Sequence, residues 1–185
     1  MMAALIFQVN CISPEKPFSE QRQLTQAEKS RMVSAISHLN ADSGAHQFLL
    51  QCGPQAVPTL IESLSTVTWP NRIWVIFTLE DIGDKRAVPA LVAIADKCPN
   101  AQMNASIRTY GRGPESDAVY ARGAVAKILC PVFRDRYKTL PCPDDVVCEN
   151  GDIEFNTEIV PYYKDVDKWY VEWRKHYSPS LYSKP

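Results

Sequence analysis

Apolar residues recur along this chain in short bursts spaced three and four apart, the period of one face of an α-helix. The first burst follows Thr25-Gln26-Ala27-Glu28, where a Thr three residues ahead of a Glu forms a capping box that opens a helix. Its apolar stripe is Met32, Val33, Ile36 and Leu39. Asp42-Ser43-Gly44 interrupts the pattern, and His46 to Cys52 predicts a short partner helix.

The pattern then repeats. Ala56-Val57-Pro58-Thr59-Leu60-Ile61 matches Ala87-Val88-Pro89-Ala90-Leu91-Val92 at an offset of 31 residues. A helix end precedes each copy, closing at Gly53 and Gly83, where a glycine suits a left-handed C-terminal cap. Pro58 and Pro89 fall in the first turn of the next helix, where a missing N–H leaves no hydrogen bond unmade. Much of the chain's proline excess (14 Pro against 7 Gly) therefore marks helix starts and stops. A second set, Arg72, Val75, Ile76 and Leu79, matches Arg122, Val125, Ala126 and Leu129 at 50 residues, again one helical face. The chain is expected to be all-α, with three helical hairpins at about 25–52, 55–82 and 86–131.

The residues from Gly53 to Leu64, then Asn71-Arg72, then Leu79 to Val92 resemble HEAT-like repeats of the short bacterial type first noticed in phycobilisome lyases. The resemblance covers roughly 45–131 and is densest over 53–95. It implies a short α-solenoid whose relatives mostly bind other proteins, some being lyase subunits or nucleic-acid enzymes. Scaffolds of this kind serve many functions, so the resemblance speaks for fold more than for activity.

The pattern breaks twice. Pro99 to Asp117 is longer than the usual helix–helix connection, and such insertions often carry function. After Pro131, read as a stop, the repeat ends; a Pro-flanked cysteine loop, an extended piece at 153–160 and a last helix at about 165–177 follow. Val166, Trp169, Tyr170, Trp173 and Tyr177 share one side of that helix, suiting it to cap the solenoid. The expected division is a 1–22 extension, a 23–135 solenoid and a 136–185 irregular tail.

Met1 to Phe7 is apolar and lacks a basic start, so it is read either as a signal-peptide remnant or as an apolar arm on the first helices. Cys142 and Cys148 are close enough in a turn-rich loop for a local disulfide, which would need an oxidising compartment. Together these lean localisation towards the periplasm or exterior. The net charge of −1 argues against binding by bulk electrostatics, and no apolar run is long enough to span a membrane. That charge is unevenly spread: residues 108–138 hold seven bases and three acids, residues 142–172 nine acids and two bases. The acidic stretch either meets a basic partner or folds back on the basic one.

Two clusters stand out as partner-binding candidates. Trp69 and Arg72 open a helix with the aromatic-plus-arginine composition of an interface hot spot. Set against this, the HEAT resemblance implies a structural ion pair for Arg72, with Asp84 an acceptable partner. Arg108, Tyr110 and Arg112 sit among glycines in the insertion, where they could clasp an anionic group or a partner, or merely form a solvated loop. Arg122, with Gly53, Pro58, Gly83 and Pro89, defines the repeat. No catalytic motif, metal-ligand spacing or cofactor signature is found. The expected partner is another protein, bound by a non-catalytic adaptor or immunity-type inhibitor. The alternatives are an enzyme or lyase-like subunit, and a nucleic-acid binder using Arg108, Arg112, Arg122 and Trp69; nucleic acid is the less expected partner.

Overall fold

The computed structural model describes residues 24–103, 113–138 and 159–182. Within them lie eight α-helices and no strand. They are α1 (Gln26–Ser37), α2 (Ser43–Cys52), α3 (Val57–Ser63), α4 (Asn71–Ile82), α5 (Val88–Ala95), α6 (Pro114–Leu129), α7 (Pro131–Lys138) and α8 (Ile159–Arg174). Short 3-10 turns cover Gly53–Gln55, Lys85–Ala87 and Pro179–Leu181. The even-numbered helices stack in order α2, α4, α6, α8, and α1, α3 and α5 pair with the first three of them. α7 joins α8 through Phe133 and Tyr137, whose rings meet Tyr162 at 6.1 and 5.4 Å. This is an all-α, solenoid-like fold.

Local chemistry sets the helix ends. Thr25 and Glu28 form the capping box: Thr25 N–H donates to Glu28 Oε2 at 2.8 Å, and Glu28 N–H to Thr25 Oγ1 at 3.2 Å. Gly83 closes α4 at φ +72°, in the left-handed region. Gly53 differs from that expectation. Its φ is +55° but its ψ is −135°, a glycine-only region, because Pro54 follows and a residue before proline is pushed out of helical backbone. Pro58 and Pro89 lie in the first turns of α3 and α5.

The core runs through Met32, Ile36, Leu49, Leu60, Val75, Ile76, Leu79, Leu91 and Val125. Val33, expected in the α1 stripe, is 59% exposed. It sits at the stripe's edge, and α1, first of the described helices, buries only a narrow seam. At the centre, α6 packs against α4, α5, α7 and α8 and is buried over most of its length. Small residues make that possible: Ala118, Ala121, Gly123, Ala124 and Ala126 let neighbouring helices approach closely. A Cβ on Gly123 would lie 2.9 Å from Cε1 of the buried Tyr163.

Beyond α6 the structure departs from the tail expected from sequence. Cys130 is extended and the chain turns at once into α7, so Pro131 ends one helix and starts the next. The last helix begins at Ile159, six residues earlier than its polar start at Asp165 suggests. Val160, assigned to an extended piece, is helical, and Tyr162 and Tyr163 are buried in a second apolar cluster with Met103, Val119, Ala126 and Val166. Pro114 to Asp117, assigned to the insertion, form the first turn of α6. The remainder of the 153–158 piece lies outside the described residues.

Candidate partner-binding face

The two arginines that match at 50 residues do the same thing. Arg72 Nη1 on α4 donates to Asp117 Oδ2 on α6 at 2.9 Å, and its Nη2 to the Val67 carbonyl at 2.6 Å. Arg122 Nη1 on α6 donates to Asp167 Oδ1 on α8 at 2.7 Å, and its Nη2 to the Cys98 carbonyl at 2.9 Å. Each arginine thus ties its own helix to the next even-numbered helix and to the loop before it. Asp117 and Arg122 are largely buried, with side chains 3% and 5% exposed. Burial raises the Asp167 carboxyl above its ordinary pKa, and Arg122 opposes the shift.

Asp84 is not the partner of Arg72. It lies past the far end of α4, about 18 Å along the helix from Arg72. There it accepts from the backbone N–H and guanidinium of Arg86, while Arg86 Nη2 reaches the Pro54 carbonyl at 2.7 Å. A third charge contact lies deeper. Lys127 Nζ on α6 donates to Glu80 Oε1 on α4 at 2.5 Å and sits 3.0 Å from the centroid of the Tyr137 ring. Burial pushes the Glu80 carboxyl up and the Lys127 ammonium down, while each partner holds the other towards its charged form. Glu80 Oε2, Asp117 Oδ1, Arg72 Nε and Ser116 Oγ find no hydrogen-bond partner among the described residues.

With these cations turned inward, the stacked helices present aromatic rings. Trp74 and Phe77 on α4 meet edge to face at 6.0 Å, Phe77 meets Tyr120 on α6 at 5.2 Å, and Tyr120 meets Tyr163 on α8 at 6.1 Å. Trp74, Phe77 and Tyr120 are half-buried, and Trp74 and Tyr120 pack against the core. His46 on α2 extends the row, 6.2 Å from Trp74. Asp81 is 49% exposed beside it, and Trp69, just before α4, is 38% exposed.

Of the candidates read from sequence, Trp69 and Arg72 are three residues apart at the start of α4, the first exposed and the second engaged in an ion pair. Arg108, Tyr110, Arg112, Cys142 and Cys148 lie outside the described residues. Sequence reasoning passed over Asp117 and Asp167, counting one as an insertion residue and the other as part of an acidic tail. The signal was present: they follow Arg72 and Arg122 by 45 residues each and so share the same 50-residue offset. Two clefts flank Arg31 and Phe48 at the α1/α2 end, of about 380 and 360 Å³. No described helix is long and apolar enough to cross a membrane.

Residues 72–97, which run from Arg72 through α4 and α5, match the family model of the PBS lyase HEAT-like repeat. A search of curated proteins and a search of solved structures each return no match. The glycine-capped α4, the proline-started α5 and the stacked even-numbered helices agree with that repeat. The chain carries a HEAT-like repeat on a helical scaffold of all-α, solenoid-like build.

Proposed function

We propose that this scaffold is a non-catalytic protein-interaction module, an adaptor or immunity-type inhibitor, whose partner docks on the face of the even-numbered helices. The observation that carries this reading is the row of half-buried rings, Trp74, Phe77 and Tyr120, with Asp81 exposed on α4 and Trp69 exposed just before it. Rigid aromatic side chains offer large contact area at little entropic cost, which is why they dominate interface energetics. Arg72 and Arg122 serve the scaffold, so the anchors here are aromatic. The nucleic-acid alternative loses Arg122, whose guanidinium is committed to Asp167 below the surface. The enzymatic alternative calls for a pocket where Trp69, Arg72 or Tyr110 meets an acid; Arg72 meets Asp117, which is buried, and Tyr110 lies outside the described residues.

The test is site-specific photo-crosslinking in the native host. A photoreactive residue replacing Trp69 or Asp81 is expected to capture one protein that the same residue at Glu62, exposed on α3, does not. Trp69→Ala should then weaken the purified complex about tenfold or more with unchanged helicity. Equal capture at all three positions, or none at 69 and 81, would overturn the reading.

A further inference from the structure

We propose that His46 is a protonation-operated latch between the first helical hairpin and the second. The argument rests on where protons must sit. Thr78 Oγ1 lies 2.7 Å from the Trp74 carbonyl, which can only accept, so the single hydroxyl proton of Thr78 is spent there. His46 Nδ1 lies 3.1 Å from the same Oγ1. With its proton committed, Oγ1 can only accept, and Nδ1 must carry a hydrogen. The other ring nitrogen, Nε2, lies 3.3 Å from Asp81 Oδ2. A neutral imidazole has one N–H, and here that one belongs to Thr78. The Nε2–Asp81 contact is therefore an ion pair when the ring is doubly protonated and a meeting of lone pairs when it is neutral.

The groups around the ring make this assignment simple. From α4, Thr78 and Asp81 face it, with Trp74 edge-on. Glu80, next to Asp81, is turned to Lys127 of α6. Arg31 of α1 lies over the Phe48 ring, 4.1 Å from its centroid, and Asp42 caps its own helix through the Gly44 N–H. Asp81 is thus the acid that answers the charge on His46. The contact joins α2 to α4, so it holds the first hairpin to the rest of the stack. It contributes while the ring is doubly protonated and is lost when the ring is neutral.

Two measurements on the full chain test the latch. In a ¹H–¹⁵N spectrum of the imidazoles taken where the ring is neutral, His46 is expected to carry its proton on Nδ1. A proton on Nε2 would overturn the proposal. Amide exchange then reads the mechanical consequence. Protection of Leu49 and Leu50 on α2, corrected for intrinsic rate and referred to Val125 on α6, should fall about two- to fivefold between about pH 6 and 8, the worth of a half-exposed ion pair. In Asp81→Asn, at an exposed position, the fall should vanish. A fall that persists in that variant, or no fall in the wild type, would equally overturn it.

Discussion

Replacing Lys127 with Met tests how the centre of the stack is held. The cation is 3% exposed and its partner Glu80 is 9% exposed, so both lie beyond the reach of bulk water. Lys127→Met removes the hydrogen bond to Oε1 and leaves a buried carboxylate whose Oε2 already lacks a partner. An uncompensated buried charge costs about 3–5 kcal/mol. The lost contact with the Tyr137 ring adds about 0.5–2 kcal/mol. Against a total stability of about 5–15 kcal/mol, that places the variant near its folding threshold. The double variant Glu80→Leu with Lys127→Met removes the orphaned charge as well. It is expected within about 1 kcal/mol of wild type, or above it, since apolar replacements of buried pairs are often neutral or stabilising. Urea unfolding followed by far-UV circular dichroism gives each free energy, with equal slopes confirming that the same surface is exposed. The pH dependence supplies a second check. With the cation gone, burial and the neighbouring Asp81 charge both push Glu80 up, and its folded-state pKa rises further above the unfolded value. Such a group is least costly below its unfolded pKa and most costly above its folded one, so the deficit should shrink as the pH falls towards about 5. Equal destabilisation in the single and double variants, or a deficit flat in pH, would refute the reasoning.

The two arginine pairs should differ in a direction that burial of the arginine alone does not suggest. Arg72→Met strands Asp117, 3% exposed, and should cost about 3–5 kcal/mol, with Asp117→Asn recovering part of it. Arg122→Met strands Asp167, 20% exposed and better solvated, and should cost less; thermal melts of both variants rank them. Gly123→Ala is expected to lower stability by about 1–2 kcal/mol, because overpacking against Tyr163 outweighs the gain in helix propensity. In a Tyr163→Leu background the same change should stabilise, and an unchanged sign there would show that the ring is not the obstacle. Gly83→Ala, at φ +72°, should cost about 1 kcal/mol by denaturant titration.

How much of this was legible follows from what each residue answers to. Thr25, Glu28, Gly83, Pro58 and Pro89 act on backbone within one turn of themselves, so sequence alone places them. Gly53 was half-legible, since its positive φ is local but its ψ depends on Pro54. Val33 was misplaced because a periodic stripe shows which residues share a face and not how far a neighbour covers it. Nothing in the local sequence marks Lys127 and Glu80 for burial. Their burial comes from four helices closing around α6, a property of the assembled stack. Arg72 and Arg122 were recognised as equivalent, and the acids they bind were not, because one fell in the insertion and the other beyond the end of the repeat.

The arginine pairs also give the stack a direction of growth. Each unit reaches forward: Arg72 to the acid on α6, Arg122 to the acid on α8. Fifty residues past Arg122, the position that would reach forward again holds Glu172, exposed and bound to Lys175 of its own segment. At that place a cation able to recruit another unit is replaced by an anion. The forward link made by Arg72 and Arg122 is thus not repeated at the equivalent place on α8.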